Sequence, residues 1–163
     1  MKKWWLGKDF VKALTSFIIL SIIVIAVSSY FVYNSKLIGP VFLFLGYISL
    51  FFLRFFKIDI KSIYPDIVFG ATDNFVLVFA ATLGATFAGV AGAIIGGIAG
   101  NTLTDGFAGL VEGHIANRMQ RQKIRHNRTA LSTMLGKMTG CLFGAGIGLI
   151  FLWLISLVWF SPS

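Results

Sequence analysis

Residues 66–115 read DIVFGATDNFVLVFAATLGATFAGVAGAIIGGIAGNTLTDGFAGLVEGHI, and this stretch decides the fold. It contains two apolar runs, 66–88 and 91–115, each near the roughly 20 residues that a helix needs to cross a bilayer. The runs join at residues 87–92 (FAGVAG), where small uncharged residues favour a tight turn at Gly89. The stretch therefore predicts a helical hairpin with its turn on the outer side of a membrane.

The rest of the chain has the same apolar character. Of its 163 residues, 57% are hydrophobic and only 12% are charged, and its mean hydropathy is +0.87. A soluble domain of this size needs a charged shell, which this composition does not provide. Further apolar stretches at 13–33, 38–53 and 137–160 raise the expected number of spans to five, all helical. The stretch at 38–53 is short and interrupted by Gly46. We therefore expect that this helix is tilted, that the bilayer is thinner around it, or that it is buried by protein.

The net charge of +8 comes from fourteen Lys and Arg against six Asp and Glu. The basic residues lie between apolar runs, so they indicate the positive-inside bias of membrane proteins and not a nucleic-acid partner. With five spans, Lys36 lies on the outer side and twelve cations lie on the inner side, which predicts an inner N-terminus and an outer C-terminus. The twelve are Lys2, Lys3, Lys8, Lys12, Arg54, Lys57, Lys61, Arg118, Arg121, Lys123, Arg125 and Arg128.

Four of the six acidic residues lie within the predicted hairpin. Asp66 and Asp73 are seven residues apart, as are Asp105 and Glu112, so each pair shares one helix face. A hairpin centred on Gly89 places Asp66 opposite Glu112 and Asp73 opposite Asp105, in two layers about 10 Å apart. A carboxylate at membrane depth is costly unless it is paired or solvated, so these acids predict a functional site.

Asn74 and Asn101 add amide oxygens to the layer formed by Asp73 and Asp105. Oxygen ligands suit Na⁺, Mg²⁺, Ca²⁺ or Mn²⁺, and a bound cation relieves the repulsion between facing carboxylates. We therefore predict a central cation site at these four residues and an inner gate at the other two acids. The sequence contains no cofactor fingerprint, and it places no nucleophilic side chain at the same membrane depth as a general base. We therefore expect neither an enzyme nor a cofactor.

Structural roles stay open for the same residues. Asp73 and Asp105 would also serve as hydrogen-bonding partners of the neighbouring asparagines, and Glu112 would pair with His114 or Arg118. At the inner interface, Asp66 follows Pro65 and would complement a helix dipole. Lys137 either snorkels to the interface or faces Asp66 and Glu112 as a tethered cation.

Small residues recur every four positions in two rows, a spacing that lets helix backbones approach closely in lipid. The first row runs through the predicted turn, so it would also fit one continuous helix. The second row lies in the last span, which we expect to pack against the acid hairpin or against another protomer. The rows are Gly84, Ala88, Gly92, Gly96 and Gly100, and then Gly136, Gly140, Gly144 and Gly148.

These patterns divide the chain into two parts. Residues 1–61 form an N-terminal two-helix membrane anchor, and residues 62–163 form a three-helix ion-site module. The module consists of the acid hairpin 66–115, a basic inner loop 116–130 with affinity for anionic lipid, and a glycine-rich last helix 131–160. The one cysteine, Cys141, excludes an intrachain disulfide and a cysteine-rich metal cluster.

Three sequence blocks resemble motifs of the transmembrane protein 65 family. They are GATDN at 70–74, GNTLTDGFAGLVE at 100–112 and LSTMLGK at 131–137, and the resemblance covers residues 66–155. It implies a multipass protein tied to sodium-dependent calcium efflux, with a known member in the mitochondrial inner membrane. It also implies these site residues: Asp73, Asn74, Asn101, Asp105 and Glu112.

The chain departs from that family in two respects. The connection from Asn74 to Gly100 is shorter and lacks an acidic residue that the family can have there. The N-terminus has two additional spans and no Arg- and Ser-rich transit peptide, which favours a prokaryotic plasma membrane. A thinner similarity is to vacuolar iron transporters, whose first span has a G-x-x-D-G pattern but whose Glu-rich soluble domain is missing here.

From residues and resemblance together, we expect a homo-oligomeric exchanger of Ca²⁺ or another divalent cation, driven by Na⁺ or H⁺. A non-transporting membrane scaffold or assembly factor is the alternative, and an iron or manganese transporter is the third.

Overall fold

The computed structural model describes residues 7–31, 35–121 and 129–159, and the described residues are helical apart from short connections. Each of the four helices is long and apolar enough to cross a membrane. The prediction of an all-α membrane protein is therefore confirmed. The helices are α1 Lys8–Phe31, α2 Ser35–Phe55, α3 Ile60–Arg121 and α4 Ala130–Trp159.

Helix α3 is folded back on itself in the middle. Ala88 (φ −142°, ψ 26°) and Gly89 (φ 57°, ψ −134°) leave the helical conformation, and glycine adopts such a positive φ without steric cost. Gly84 lies against Gly92, and Gly96 lies against Ala80. Residues 60–87, the first arm, and residues 90–121, the second arm, are thus antiparallel. The predicted turn at Gly89 is confirmed, and the first row of small residues lines the contact between the arms.

Helix α4 is the centre of the fold, because it contacts each of the other three helices. The face of α4 that carries the second glycine row lies against the first arm of α3. A Cβ atom at Gly140 would overlap the carbonyl oxygen of Ile67, and one at Gly144 would overlap that of Ala71. The glycine row therefore allows two helix backbones of the same protomer to touch.

Helix α2 packs on another side of α4. Gly46 lies against the ring of Phe143, whose edge also contacts the ring of Tyr47 at a centroid distance of 5.3 Å. The hydroxyls of Ser49 and Thr139, both buried, are hydrogen-bonded at 2.6 Å. Helix α2 continues through Gly46, where the missing side chain gives room for an aromatic ring, and it is longer than the apolar stretch 38–53.

Asp59, just before α3, caps its N-terminus by accepting a hydrogen bond from the backbone nitrogen of Lys61 at 3.1 Å. Pro65 lies inside α3, and Asp66 lies more than a turn beyond its start. Asp59, and not Asp66, is therefore the acidic residue positioned to interact with the N-terminal end of the α3 dipole.

The basic segment after the hairpin is partly helical. Helix α3 continues to Arg121, so the first part of the predicted inner loop 116–130 is helix, and residues 122–128 lie outside the described residues. Helix α4 then starts with a reciprocal cap. The backbone nitrogen of Thr129 donates to the Ser132 hydroxyl at 2.9 Å, and that of Ser132 donates to the Thr129 hydroxyl at 3.1 Å.

Candidate cation site in the α3 hairpin

Asp73 lies at the contact between the two arms of α3. Its carboxylate is half-buried and accepts a hydrogen bond at Oδ1 from the hydroxyl of Thr104, which is buried on the second arm. The same hydroxyl lies 3.1 Å from the carbonyl oxygen of Gly100 and 3.0 Å from that of Asn101. Oxygen atoms from both arms therefore meet at Asp73.

Asp105 occupies a different environment from the one that we predicted. Its side chain is exposed, and its Oδ2 accepts a hydrogen bond at 3.0 Å from the Asn101 amide on the same arm. The residue that meets Asp73 across the hairpin is Thr104, one position earlier. A turn centred on Gly89 correctly predicts the hairpin, but the register is shifted, as the pairing of Gly84 with Gly92 also shows.

Thr104 is not among the site residues predicted from the sequence, although one signal in the sequence points to it. Threonine in an apolar helix needs an acceptor for its hydroxyl, and a carboxylate across a hairpin is an acceptor of the required kind. The one-residue register shift could not be read from the sequence. It depends on how the small residues near the turn interlock.

Asp66 is fully buried between the first arm and α4, and its Cβ lies 3.0 Å from the position of a Cβ at Gly136. Lys137, the next residue of α4, is half-buried and places its ammonium 4.6 Å from the centroid of the Phe69 ring. The structure thus brings Asp66 and Lys137 to the same end of the contact between the first arm and α4. Glu112 belongs to the second arm, and its side chain lies outside the described residues, as does that of Arg118.

Asn74 contacts α4. Its side-chain amide lies beside the Cys141 thiol, and Asp73 and Lys137 are both close enough to Cys141 to interact with it electrostatically. The two predicted amide ligands therefore lie in different places, because Asn74 contacts the last helix and Asn101 contacts Asp105.

The described residues contain no group of three or more His, Cys, Asp or Glu side chains that could hold a metal ion. Ca²⁺ takes about 6–8 oxygen ligands. The Asp73 carboxylate and the Thr104 hydroxyl supply only part of such a set. A complete divalent site at Asp73 would need oxygens beyond this pair.

A partly open pocket of about 150 Å³ lies between the two arms, with Asp73 and Thr104 in its wall. Most of its lining is apolar, and three of the side chains are aromatic. The lining residues are Tyr64, Pro65, Val68, Phe69, Thr72, Asp73, Thr104, Phe107, Ala108 and Val111.

No protein-family model matches this chain. No curated protein and no solved structure matches it either. The similarity to the transmembrane protein 65 family consequently stays a prediction based on the three sequence blocks. The hairpin combines three features with functional potential: the Asp73 carboxylate hydrogen-bonded across two apolar helical arms, the pocket beside it, and the buried carboxylate of Asp66 on the same arm.

Proposed function

We propose that this protein is an integral membrane cation transporter and that the ion path runs along the α3 hairpin. The observation that carries the proposal is the position of Asp73. Its carboxylate lies between two apolar helical arms, accepts a hydrogen bond from Thr104 and borders a pocket. Because a carboxylate at membrane depth is costly, such residues commonly mark the path of an ion or a proton.

In the proposed topology the two arms cross the membrane separately, which gives five crossings. By the positive-inside rule, the twelve basic residues of the inner segments predict an N-terminus on the inner side and a turn at Gly89 on the outer side. Asp73 is sixteen residues from Gly89, so it lies about 24 Å along the helix from the turn. The pocket and Asp73 therefore lie in the inner half of the membrane, which we take to be a prokaryotic plasma membrane.

The transported ion in this proposal is Ca²⁺ or another divalent cation, exchanged for Na⁺ or H⁺. The resemblance to the transmembrane protein 65 family supports this choice, as do the oxygen ligands. Asp73 and Thr104 supply the central oxygens, Asn101 and Asp105 form a second polar pair on the same arm, and Asp66 with Glu112 forms the inner gate.

Alternating access requires one element to move against another. The first arm is held on α4 by contacts between helix backbones at Gly140 and Gly144. The second arm has such contacts with the first arm near the turn, at Gly92 and Gly96, whereas its Gly106 and Gly109, farther from the turn, face open space. We therefore assign the movement to the second arm. Breaking the hydrogen bond between Thr104 and Asp73 would accompany it.

A non-transporting scaffold is the second candidate, and one observation favours it. The carboxylates of Asp73 and Asp105 both accept side-chain hydrogen bonds, from Thr104 and Asn101 respectively. Such bonds would satisfy the acids as purely structural links between and along helices.

Homo-oligomerisation and lipid binding belong to the same proposal. The glycine row of α4 is used within the protomer, so a contact between copies would use another face. The outer face of the second arm is suited to it, since Gly106 and Gly109 are open and Asp105 is exposed. Anionic lipids would contact the basic segment that follows this arm.

Release of Ca²⁺ from liposomes that contain the protein separates the two candidates. The protein is reconstituted with Ca²⁺ inside and an imposed Na⁺ or H⁺ gradient, and Mn²⁺ and Fe²⁺ are tested in parallel for the third candidate. We expect gradient-dependent Ca²⁺ release that falls at least tenfold in Asp73→Asn, as mutation of an ion ligand predicts. Asp59→Asn is the matched control, because asparagine caps a helix as well as aspartate does.

Gradient-dependent release that persists in Asp73→Asn would refute the assignment of this residue. Release that is absent from the wild-type protein for all three metals would favour the scaffold. Mass measurement in detergent tests the homo-oligomer, and a strict monomer would contradict it.

A further inference from the structure

The pocket between the arms of α3 offers more apolar surface than a metal ion at Asp73 would use. Among the described residues of its lining, only Thr72, Asp73 and Thr104 carry side-chain oxygens other than a phenol. A metal ion held by Asp73 and Thr104 would leave the apolar part of the pocket empty. The described lining combines one carboxylate with aromatic surfaces, and this combination also suits an organic cation.

Aromatic rings attract ammonium groups through the negative potential of their faces. Tyr64, Phe69 and Phe107 supply such rings around the pocket. The protein already uses one of them in this way, because the Lys137 ammonium lies 4.6 Å from the centroid of the Phe69 ring. Among the described residues of the lining, Asp73 is the only charged one, and a carboxylate that accepts one hydrogen bond from Thr104 can accept others.

We propose that this pocket binds a small organic ammonium ion, with the Asp73 carboxylate as its counter-charge. Its N–H groups donate to Asp73, and its hydrocarbon part packs between Val68, Phe107 and Ala108. A cavity of about 150 Å³ accommodates a benzene-sized group. The volume of about 150 Å³ here therefore fits one ring or a short alkyl chain.

This binding site goes beyond the proposed transport of metal ions, because it is tested by ligand binding and does not require that the protein transports a metal ion. The opening of the pocket lies between arms that we place in the inner half of the membrane. An amphipathic amine partitions into that region, and it would reach Asp73 from the lipid without crossing water-filled space.

Binding of benzylammonium to the protein in lipid nanodiscs tests the proposal, with protein-free nanodiscs as the blank for partition into lipid. Benzyl alcohol, which has the same ring but no charge, is the matched probe. Titration calorimetry should give a Kd for benzylammonium that is at least about tenfold lower, because hydrogen bonds to charged groups are the stronger ones. Asp73→Asn should remove that preference, and Asp59→Asn should keep it.

Val68→Phe tests the location independently of charge. Val68 is 43% exposed at the rim, so the larger ring fills the pocket without disturbing a buried contact. We expect it to weaken both probes at least about fivefold, since a filled pocket loses its ligand contacts. Equal binding of the two probes by the wild-type protein, or full benzylammonium binding in a folded Asp73→Asn or Val68→Phe variant, would overturn the proposal.

Discussion

Replacing Gly140 by alanine tests whether backbone contact between α4 and the first arm of α3 holds the fold together. The three nearest atoms to an added Cβ are the carbonyl oxygen and carbon of Ile67 and the backbone nitrogen of Ala71. None of them belongs to a side chain that could rotate away. The helices must therefore move apart, and each contact along the glycine row loosens with them.

The magnitude follows from the cost of overpacking. One extra methyl group in a close-packed interior typically costs about 1–3 kcal/mol. At about 2–4 °C per kcal/mol for a chain of this size, the melting temperature should fall by about 2–12 °C. Gly109→Ala is the matched control, because nothing lies within 4 Å of a Cβ there, and alanine stabilises a helix relative to glycine by about 0.5–1 kcal/mol.

The chain carries its own reporter for this measurement. Cys141, its only cysteine, lies on α4 against the first arm, with its Sγ 3.2 Å from the position of a Cβ at Gly70. A dye that becomes fluorescent on reaction with thiols follows its exposure during heating in detergent, and circular dichroism follows helix content. If Gly140→Ala melts at or above the temperature of Gly109→Ala by both readouts, the proposed backbone contact is wrong.

Three further predictions concern individual contacts, each checked by the same melting assay. Thr104→Val removes the hydroxyl that donates across the hairpin, and it should destabilise the folded protein by about 1–3 kcal/mol. Thr102→Val is the control, because the Thr102 hydroxyl donates to the Ile98 carbonyl of its own helix, and it should change the melting temperature little. In a double-mutant cycle of Ser49→Ala and Thr139→Val, we expect a coupling of about 0.6 kcal/mol, the average for hydrogen bonds between membrane helices; strict additivity would contradict a direct bond. Gly89→Ala should cost about 1–3 kcal/mol, because a φ of 57° with a ψ of −134° lies outside the left-handed helical region and is adopted freely by glycine alone. Gly89→Asn should also melt below the wild-type protein. Wild-type melting of either variant would argue against that cause.

The hairpin could be predicted because it depends on one short, strong signal. A run of small uncharged residues around Gly89 separates two stretches that are each long enough to cross a membrane. At this position the chain needs a positive φ, which glycine alone adopts freely, and the structure has φ 57° there. Helix-spanning length and a glycine turn are local properties, so they are readable from the sequence.

The register of the arms is not a local property. Small residues such as Gly84, Gly92 and Gly96 let the arms approach until backbone atoms touch, and the closest fit decides which residues face each other. The shift places Asp73 opposite Thr104 and leaves Asp105 on the exposed side. A hairpin centre read from the sequence thus predicts which arms meet, and an error of one residue is enough to exchange a carboxylate for a hydroxyl.

The distribution of glycines also explains why the acids are not equivalent. Asp66 lies where the first arm meets α4 beside Gly136, and it is fully buried there. Asp73 is half-buried between the arms, and Asp105 is exposed on the arm whose Gly106 meets nothing. Burial therefore decreases from Asp66 to Asp105. In the proposed mechanism, movement of the second arm would change the surroundings of Asp73 and Asp105 and displace the segment that carries Glu112, while Asp66 stays enclosed against α4, so the proposed inner gate would open on the side of the second arm.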